Sequence, residues 1–196
     1  MSSLKLFIVR HAPVVGQKGF IYGEEADIDL EGQIEMLQLL ADKLPSPEKS
    51  VWYHSGVDRA RRTANAILSL MGQSHENISG HEGFKEQDFG DLIGCRHEDI
   101  TNHLTFVKGK IHAPHPPNGE SIEKFVCRVG SAIKDVGTIS SSNGKQSVVI
   151  FSHGGTIRAA HTAINELPLQ NFIILDTPPL FAYECSIEKL CKLAPI

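Results

Sequence analysis

Apolar residues recur along this chain in two rhythms. Short runs rich in branched and aromatic residues occur at 6–9, 51–53 and 147–152. Each is far shorter than a membrane span and reads as a buried strand. Other apolar residues recur at three- and four-residue spacing, which gives a helix one apolar face. Leu30, Ile34, Leu37, Leu40, Ala41 and Leu44 form one such set, capped by Asp29 and ended by Pro45 and Pro47. Val57, Ala60, Ala64, Ile67, Leu68 and Met71 form a second, closed by Gly72 and opened by Ser55 and Asp58 at capping-box spacing. Ile122, Phe125, Val126, Val129, Ile133 and Val136 form a third, stopped by Gly137, and Ile157, Ala160, Ile164 and Leu167 a fourth. A short helix is predicted over 96–107. Strands are predicted over 172–175 and 180–187, the second as an edge or half-buried strand. Loops are expected over 15–27, 73–94, 111–119 and 138–145.

The order β-loop-α, β-α, excursion, α, β-α, ββ predicts a three-layer α/β/α sandwich with a mainly parallel central sheet. Its 196 residues suffice for one domain, 1–196. The excursion over 89–119 is too poor in apolar period for a second core and is expected as a cap over the sheet's C-terminal edge. A net charge of −4 argues against a general nucleic-acid binder. Cys95, Cys127, Cys185 and Cys191 show no Cys-x-x-Cys spacing, so they are expected to be reduced and structural. With no export signal in view, a cytoplasmic protein without membrane partners is expected. A homodimer is left open.

Three predicted strand ends carry special residues: Arg10-His11, the turn from Ser55 to Arg59, and His153-Gly154-Gly155. In a parallel sheet these ends point the same way, so two histidines and two arginines converge on one small volume. Arginine forks match phosphate oxygens, and a Gly-Gly turn into a helix offers backbone N–H groups. A histidine among cations is held neutral and nucleophilic. In-line attack on phosphorus also needs an acid for the leaving alkoxide. Glu86 is the best candidate, with Glu82 its competitor. Arg96-His97 follows no strand and is expected to stand apart from the chemistry. His54, His75, His81, His97, His103 and His161 are expected at the surface or in structural roles. His112 and His115 sit in a proline-rich loop with no third ligand in view, so neither a metal nor another cofactor is expected.

Five motifs follow in order: Arg10-His11, Ser55-Gly-Val-Asp-Arg59-Ala-Arg-Arg-Thr63-Ala64, Glu86-Gln-Asp-Phe89-Gly90, Gly119-Glu120-Ser121 and Ser152-His153-Gly154-Gly155. The set resembles the histidine phosphatase, or phosphoglycerate-mutase-like, superfamily over about residues 4–158. The resemblance implies that His11 becomes phosphohistidine, that Arg10, Arg59 and His153 hold the phosphoryl group, and that Glu86 donates the proton, without a metal; Gly154 is expected to bind substrate through the backbone of the Gly-Gly turn. Gly23, Asp29, Leu30 and Gly32 resemble the family's residues around the first helix. The usual Arg-His-Gly-Glu-Thr is here Arg10-His11-Ala12-Pro13-Val14, and the usual Trp-Glu-Gly is Leu92-Ile93-Gly94. The loop threonine and a downstream asparagine lack clear counterparts, with Gln17 the one substitute in view. The Arg-His-Ala-Pro start resembles α-ribazole-phosphatase-like members, which implies a small-molecule or nucleotide-like phosphate ester. A mutase, a phosphoprotein phosphatase and a non-catalytic phosphate-binding protein on the same scaffold remain alternatives.

Overall fold

The computed structural model describes residues 4–99, 116–172 and 175–187. Five strands form one sheet: β1 Lys5–Arg10, β2 Ser50–His54, β3 Ile78–Gly80, β4 Ser147–Ser152 and β5 Ala182–Ser186. Their order is β3-β2-β4-β1-β5. β1 to β4 run parallel, and β5 pairs antiparallel with β1 at one edge. The expected sandwich is thus observed, as a mixed, mostly parallel sheet with helices on both sides.

Side chains alternate across the pleat, and each face has its own core. On one face Leu6, Ile8, Val148 and Ile150 pack with Phe125, Val129, Ile133 and Ile157. These last belong to α3 Ile122–Ser142 and α4 Gly154–Ile164. On the other face Val9, Val149, Phe151 and Trp52 pack with Leu37, Leu40, Ala64 and Ile67. These helical residues belong to α1 Ile34–Lys43 and α2 Asp58–Leu70.

Several boundaries differ from the expected ones. α1 is preceded by a 3-10 turn, Glu31–Gln33, and the Asp29 carboxylate accepts from Gly32 N at 2.8 Å. Gly137 does not stop α3, which continues through the stretch expected as a turn to Ser142. Gly137 lies on the buried face, and packing against the core outweighs the glycine penalty. β3 lies within a stretch expected to be irregular, because three residues with one isoleucine carry no readable alternation. Phe172 closes a 3-10 turn, Leu169–Asn171, rather than opening a strand, and residues 173–174 lie outside the described residues. Of the helix predicted over 96–107, His97–Asp99 are helical and residues 100–107 lie outside the described residues. Among the described residues no helix is long and apolar enough to cross a membrane.

The two ends of the expected insertion are fastened together. Glu120 N donates to Asp88 O at 2.8 Å and Asp91 N to Pro117 O at 3.0 Å. A Cβ on Gly90 would stand 2.1 Å from Pro117 O, and one on Gly119 2.5 Å from Asp88 O. Both glycines are therefore required by close backbone approach. Ser121 then caps α3, accepting from Lys124 N.

Candidate active site

Sheet register builds the site. Arg10 pairs with Ser152, so the residues that follow, His11 and His153, leave neighbouring strands at one level. His11 N donates to Ser152 O, and Ser55 N to Phe151 O. The sheet order therefore sets Ser55, His153 and His11 side by side at the exits of β2, β4 and β1. Both histidines are about 1% exposed, with ring centroids 5.2 Å apart.

His11 Nδ1 lies 2.7 Å from Ala12 O, and its Nε2 lies 3.2 Å from Arg59 Nε. A carbonyl only accepts and a guanidinium only donates. The proton of His11 is thus on Nδ1, and the lone pair on Nε2 points into the arginine cluster. Burial, followed by the Arg59 and Arg10 charges, pushes the imidazole down to about 3. His11 is accordingly neutral and nucleophilic at any ordinary pH. His153 is likewise held well below its ordinary value, first by burial and then by His11, Arg59 and Arg10.

Arg59 enters from the first turn of α2 and ties the group together. Its Nη1 donates to Gly23 O at 2.8 Å, and its Nη2 meets His153 Nδ1 at 3.3 Å. Tyr22 stacks on its guanidinium at 5.1 Å and stands edge-on to His11. Arg10 donates to Thr177 O and reaches Tyr22 OH. Thr63, one turn beyond Arg59, accepts from Ala12 N at 3.0 Å.

Glu86 is placed at the start of α4. Gly155 N donates to Glu86 Oε2 at 3.0 Å, and Gln87 N donates to Oε1 at 3.0 Å. The expected anion-binding N–H of Gly155 is therefore engaged by the carboxylate. The loop carrying Glu86 hangs on Arg128 of α3. Arg128 donates to the carbonyls of Gly83, Lys85 and Glu86 and to the Glu120 carboxylate. The competitor Glu82 instead pairs with Lys85 at 2.7 Å on the rim, where Lys85 also meets Glu24 at 3.1 Å.

Arg10, Arg59, Gly154, Gly155 and Glu86 line a cleft of about 1120 Å³. His11 and His153 do not line it themselves: both are buried, and each meets Arg59, which does. Every proposed site residue that can be located is therefore brought to one place. The Ala12 side chain is fully buried in the core on the α1–α2 face, turned away from the cleft lining. Val14 also packs toward that core, and the loop reaches the site through Tyr22 instead. Gln17 does not line the cleft.

Several residues at the site were not expected there. His97, from the Arg-His pair expected to stand apart, lines the cleft with Arg158. Burial, then Arg10 and Arg158, lower the His97 imidazole. Tyr22 and Thr177 come from segments without hydrophobic period, and Arg128 from a polar position of the periodic helix α3. The Ser55 capping box is not formed: the helix N-cap is Val57, and Ser55 Oγ meets His153 Nε2 at 2.8 Å. His54 accepts from Gly56 N, His75 meets Ser69, His81 accepts from Gly83 N and stacks on Phe84, and His161 meets Tyr183. These four are structural, as expected. His103, His112 and His115 lie outside the described residues.

Two buried histidines, two arginines and a carboxylate over one cleft define a phosphoryl-transfer site of the histidine type. Residues 6–188 match the model of the histidine phosphatase superfamily (branch 1), and the chain belongs to that family. A Hydrogenobacter thermophilus protein named as a phosphoserine phosphatase is 28% identical, aligned over 85% of this chain and 81% of its own length. A 2,3-bisphosphoglycerate-dependent phosphoglycerate mutase of Bartonella quintana is 30% identical over 62% of this chain and 60% of that protein. Among solved structures, a phosphoserine phosphatase variant of Entamoeba histolytica superposes with TM-score 0.74 at 20% identity, covering 92% of this chain and 89% of that one. A mycobacterial glucosyl-3-phosphoglycerate phosphatase superposes at 0.73 and 18%, covering 93% and 89%. The chain is a phosphatase of this superfamily, with chemistry that runs through phosphohistidine.

Proposed function

We propose that this phosphatase hydrolyses a small-molecule phosphate monoester, with His11 as nucleophile and Glu86 as proton donor. The observation that carries the assignment is the neutral His11 ring, with its Nε2 lone pair directed at Arg59 and its Nδ1–H anchored on Ala12 O. An incoming phosphoryl group draws the Arg59 and Arg10 donors onto its oxygens and exposes that lone pair. Nε2 then bonds to phosphorus as the ester P–O bond breaks, and Glu86 passes its proton to the leaving alkoxide. In the second half, the Glu86 carboxylate takes a proton from water as the water oxygen attacks phosphorus. The N–P bond breaks, orthophosphate leaves, and both residues return to their starting states. The arginines supply charge and position, which is most of what phosphoryl transfer asks of a protein.

Two features support a small ester. The cleft volume is close to that of ordinary small-molecule sites. Its lining mixes acidic Glu24, Glu25 and Glu82 with basic Arg158 and His97, which suits a compact polar substrate better than a polyanion. The Arg158 guanidinium, anchored only through Nε to Leu175 O among the described residues, offers a contact for a second anionic group. The named relatives act, by their names, on phosphoserine and phosphoglycerate, both small phosphorylated acids. The test is hydrolysis of an aryl phosphate in excess chelator followed by a panel of phosphorylated acids and nucleotides. Wild type should turn over and His11→Ala should not. Glu86→Gln should slow alkyl esters more than activated aryl esters, because protonation matters most for a basic leaving group. Normal turnover by His11→Ala, or equal slowing of both ester types by Glu86→Gln, would contradict the respective assignment.

A further inference from the structure

We propose that Ser55 is a positioning residue that lets His153 present an N–H to the phosphoryl group, by reversing donor and acceptor in its bond to His153 Nε2. The inference rests on the reading of the cleft as a phosphoryl site.

Ser55 has the spacing of a helix cap, but its hydroxyl is committed elsewhere. It is fully buried, 2.8 Å from His153 Nε2, with Val57 N at 3.4 Å as its one further partner among the described residues. The contact is built into the sheet, because β2 and β4 are neighbours and Ser55 and His153 are their exit residues. No loop adjustment is needed to bring them together.

The partner of the other ring nitrogen fixes the protonation pattern. Arg59 can only donate, so His153 Nδ1, 3.3 Å from Arg59 Nη2, carries a lone pair. Burial and the surrounding cations keep the ring neutral, so its single proton is on Nε2 and is given to Ser55 Oγ. That tautomer suits the arginine but not a phosphoryl oxygen, because a lone pair would face an anion. Once the oxygen takes over the Arg59 donor, Nδ1 needs a hydrogen to bond with it. When solvent takes the Nε2 proton and solvent in the cleft returns one to Nδ1, one proton is moved and none is added, so the ring stays neutral, and Nε2 then needs a donor. The Ser55 hydroxyl turns to supply it. A hydroxyl serves both tautomers, whereas a carbonyl or an N–H in its place would lock one. Alanine would leave Nε2 without its side-chain partner at a buried position.

The experiment follows the His153 ring by long-range proton–nitrogen NMR on protein carrying isotope-labelled histidine, with His153 assigned by its loss in His153→Gln. Spectra are taken with and without saturating orthophosphate. The expected result is a proton on Nε2 without phosphate and on Nδ1 with it. Ser55→Ala should lose the exchange and weaken phosphate binding about 10- to 100-fold, the usual scale for one hydrogen bond to a charged ligand. Ser55→Thr, which keeps the hydroxyl, should retain the exchange. Should Ser55→Ala or Ser55→Thr fail to fold, the wild-type spectra alone decide. A proton that stays on Nε2, or protons on both nitrogens with phosphate bound, would overturn the proposal. Wild type that shows no phosphate binding, with its His11 signals unmoved, would overturn the underlying phosphoryl-site reading and this proposal with it.

Discussion

At the scale of single residues, the site works by denying protons to histidines. His11 titrates at about 3 because charging it would strand a cation in a dry pocket beside two arginines. An unfolded chain would protonate the same residue near its ordinary value of about 6.5. Between those limits the unfolded state binds the extra proton, so stability is full above the upper limit and falls as pH drops toward the lower one. His153 acts in the same direction. We expect His11→Asn to flatten the stability–pH slope between about pH 4 and 6 by roughly one proton, measured by denaturant unfolding across that range. An unchanged slope would mean that His11 is not held neutral. The same reasoning places the acid limb of activity elsewhere, since His11 is already deprotonated throughout the working range.

At the scale of elements, the sequence displayed the strands and helices whose residues repeat, and the chemistry that sits on their ends. Arg10-His11, Arg59 and His153 could be read because each follows or opens a periodic run. Ser55 could be read as important but not in its true role, since capping spacing and a cross-sheet hydrogen bond look alike without a strand order. Tyr22, His97, Thr177 and Arg128 could not be read, because their roles depend on where loops and a distant helix meet. Arg128 shows what that costs. The long helix α3 hides a residue whose guanidinium holds three carbonyls of the Glu86 loop and the Glu120 carboxylate. Methionine at this position keeps the stem that covers Phe125 but removes every donor. Arg128→Met is expected to lower stability by about 1–3 kcal/mol and kcat for alkyl phosphates by about 10- to 100-fold. Thermal unfolding and steady-state rates check both figures. A kcat that does not change would show that the loop holds Glu86 without help from α3.

At the scale of the whole molecule, two cores back one sheet, and the chemistry occupies only the sheet's C-terminal rim. Truncation deep in either core should therefore affect stability and leave the chemistry alone. Leu37 is about 1% exposed on α1, in the core on the face opposite α3 and α4. Leu37→Ala is expected to cost about 2–5 kcal/mol by denaturant unfolding, with kcat per folded molecule close to wild type. A large fall in kcat would mean that the site is mechanically coupled to that core. The central claim is that the sheet's exit residues form a covalent phosphoryl carrier centred on His11. It is tested most directly by mixing the protein with an activated aryl phosphate, quenching at neutral to alkaline pH, and measuring intact mass with site mapping. The account expects one phosphoryl group on His11 Nε2, formed with a burst of the phenol, and no adduct on His11→Asn. A phosphoryl group mapped to another residue, or a burst that survives in His11→Asn, would contradict it.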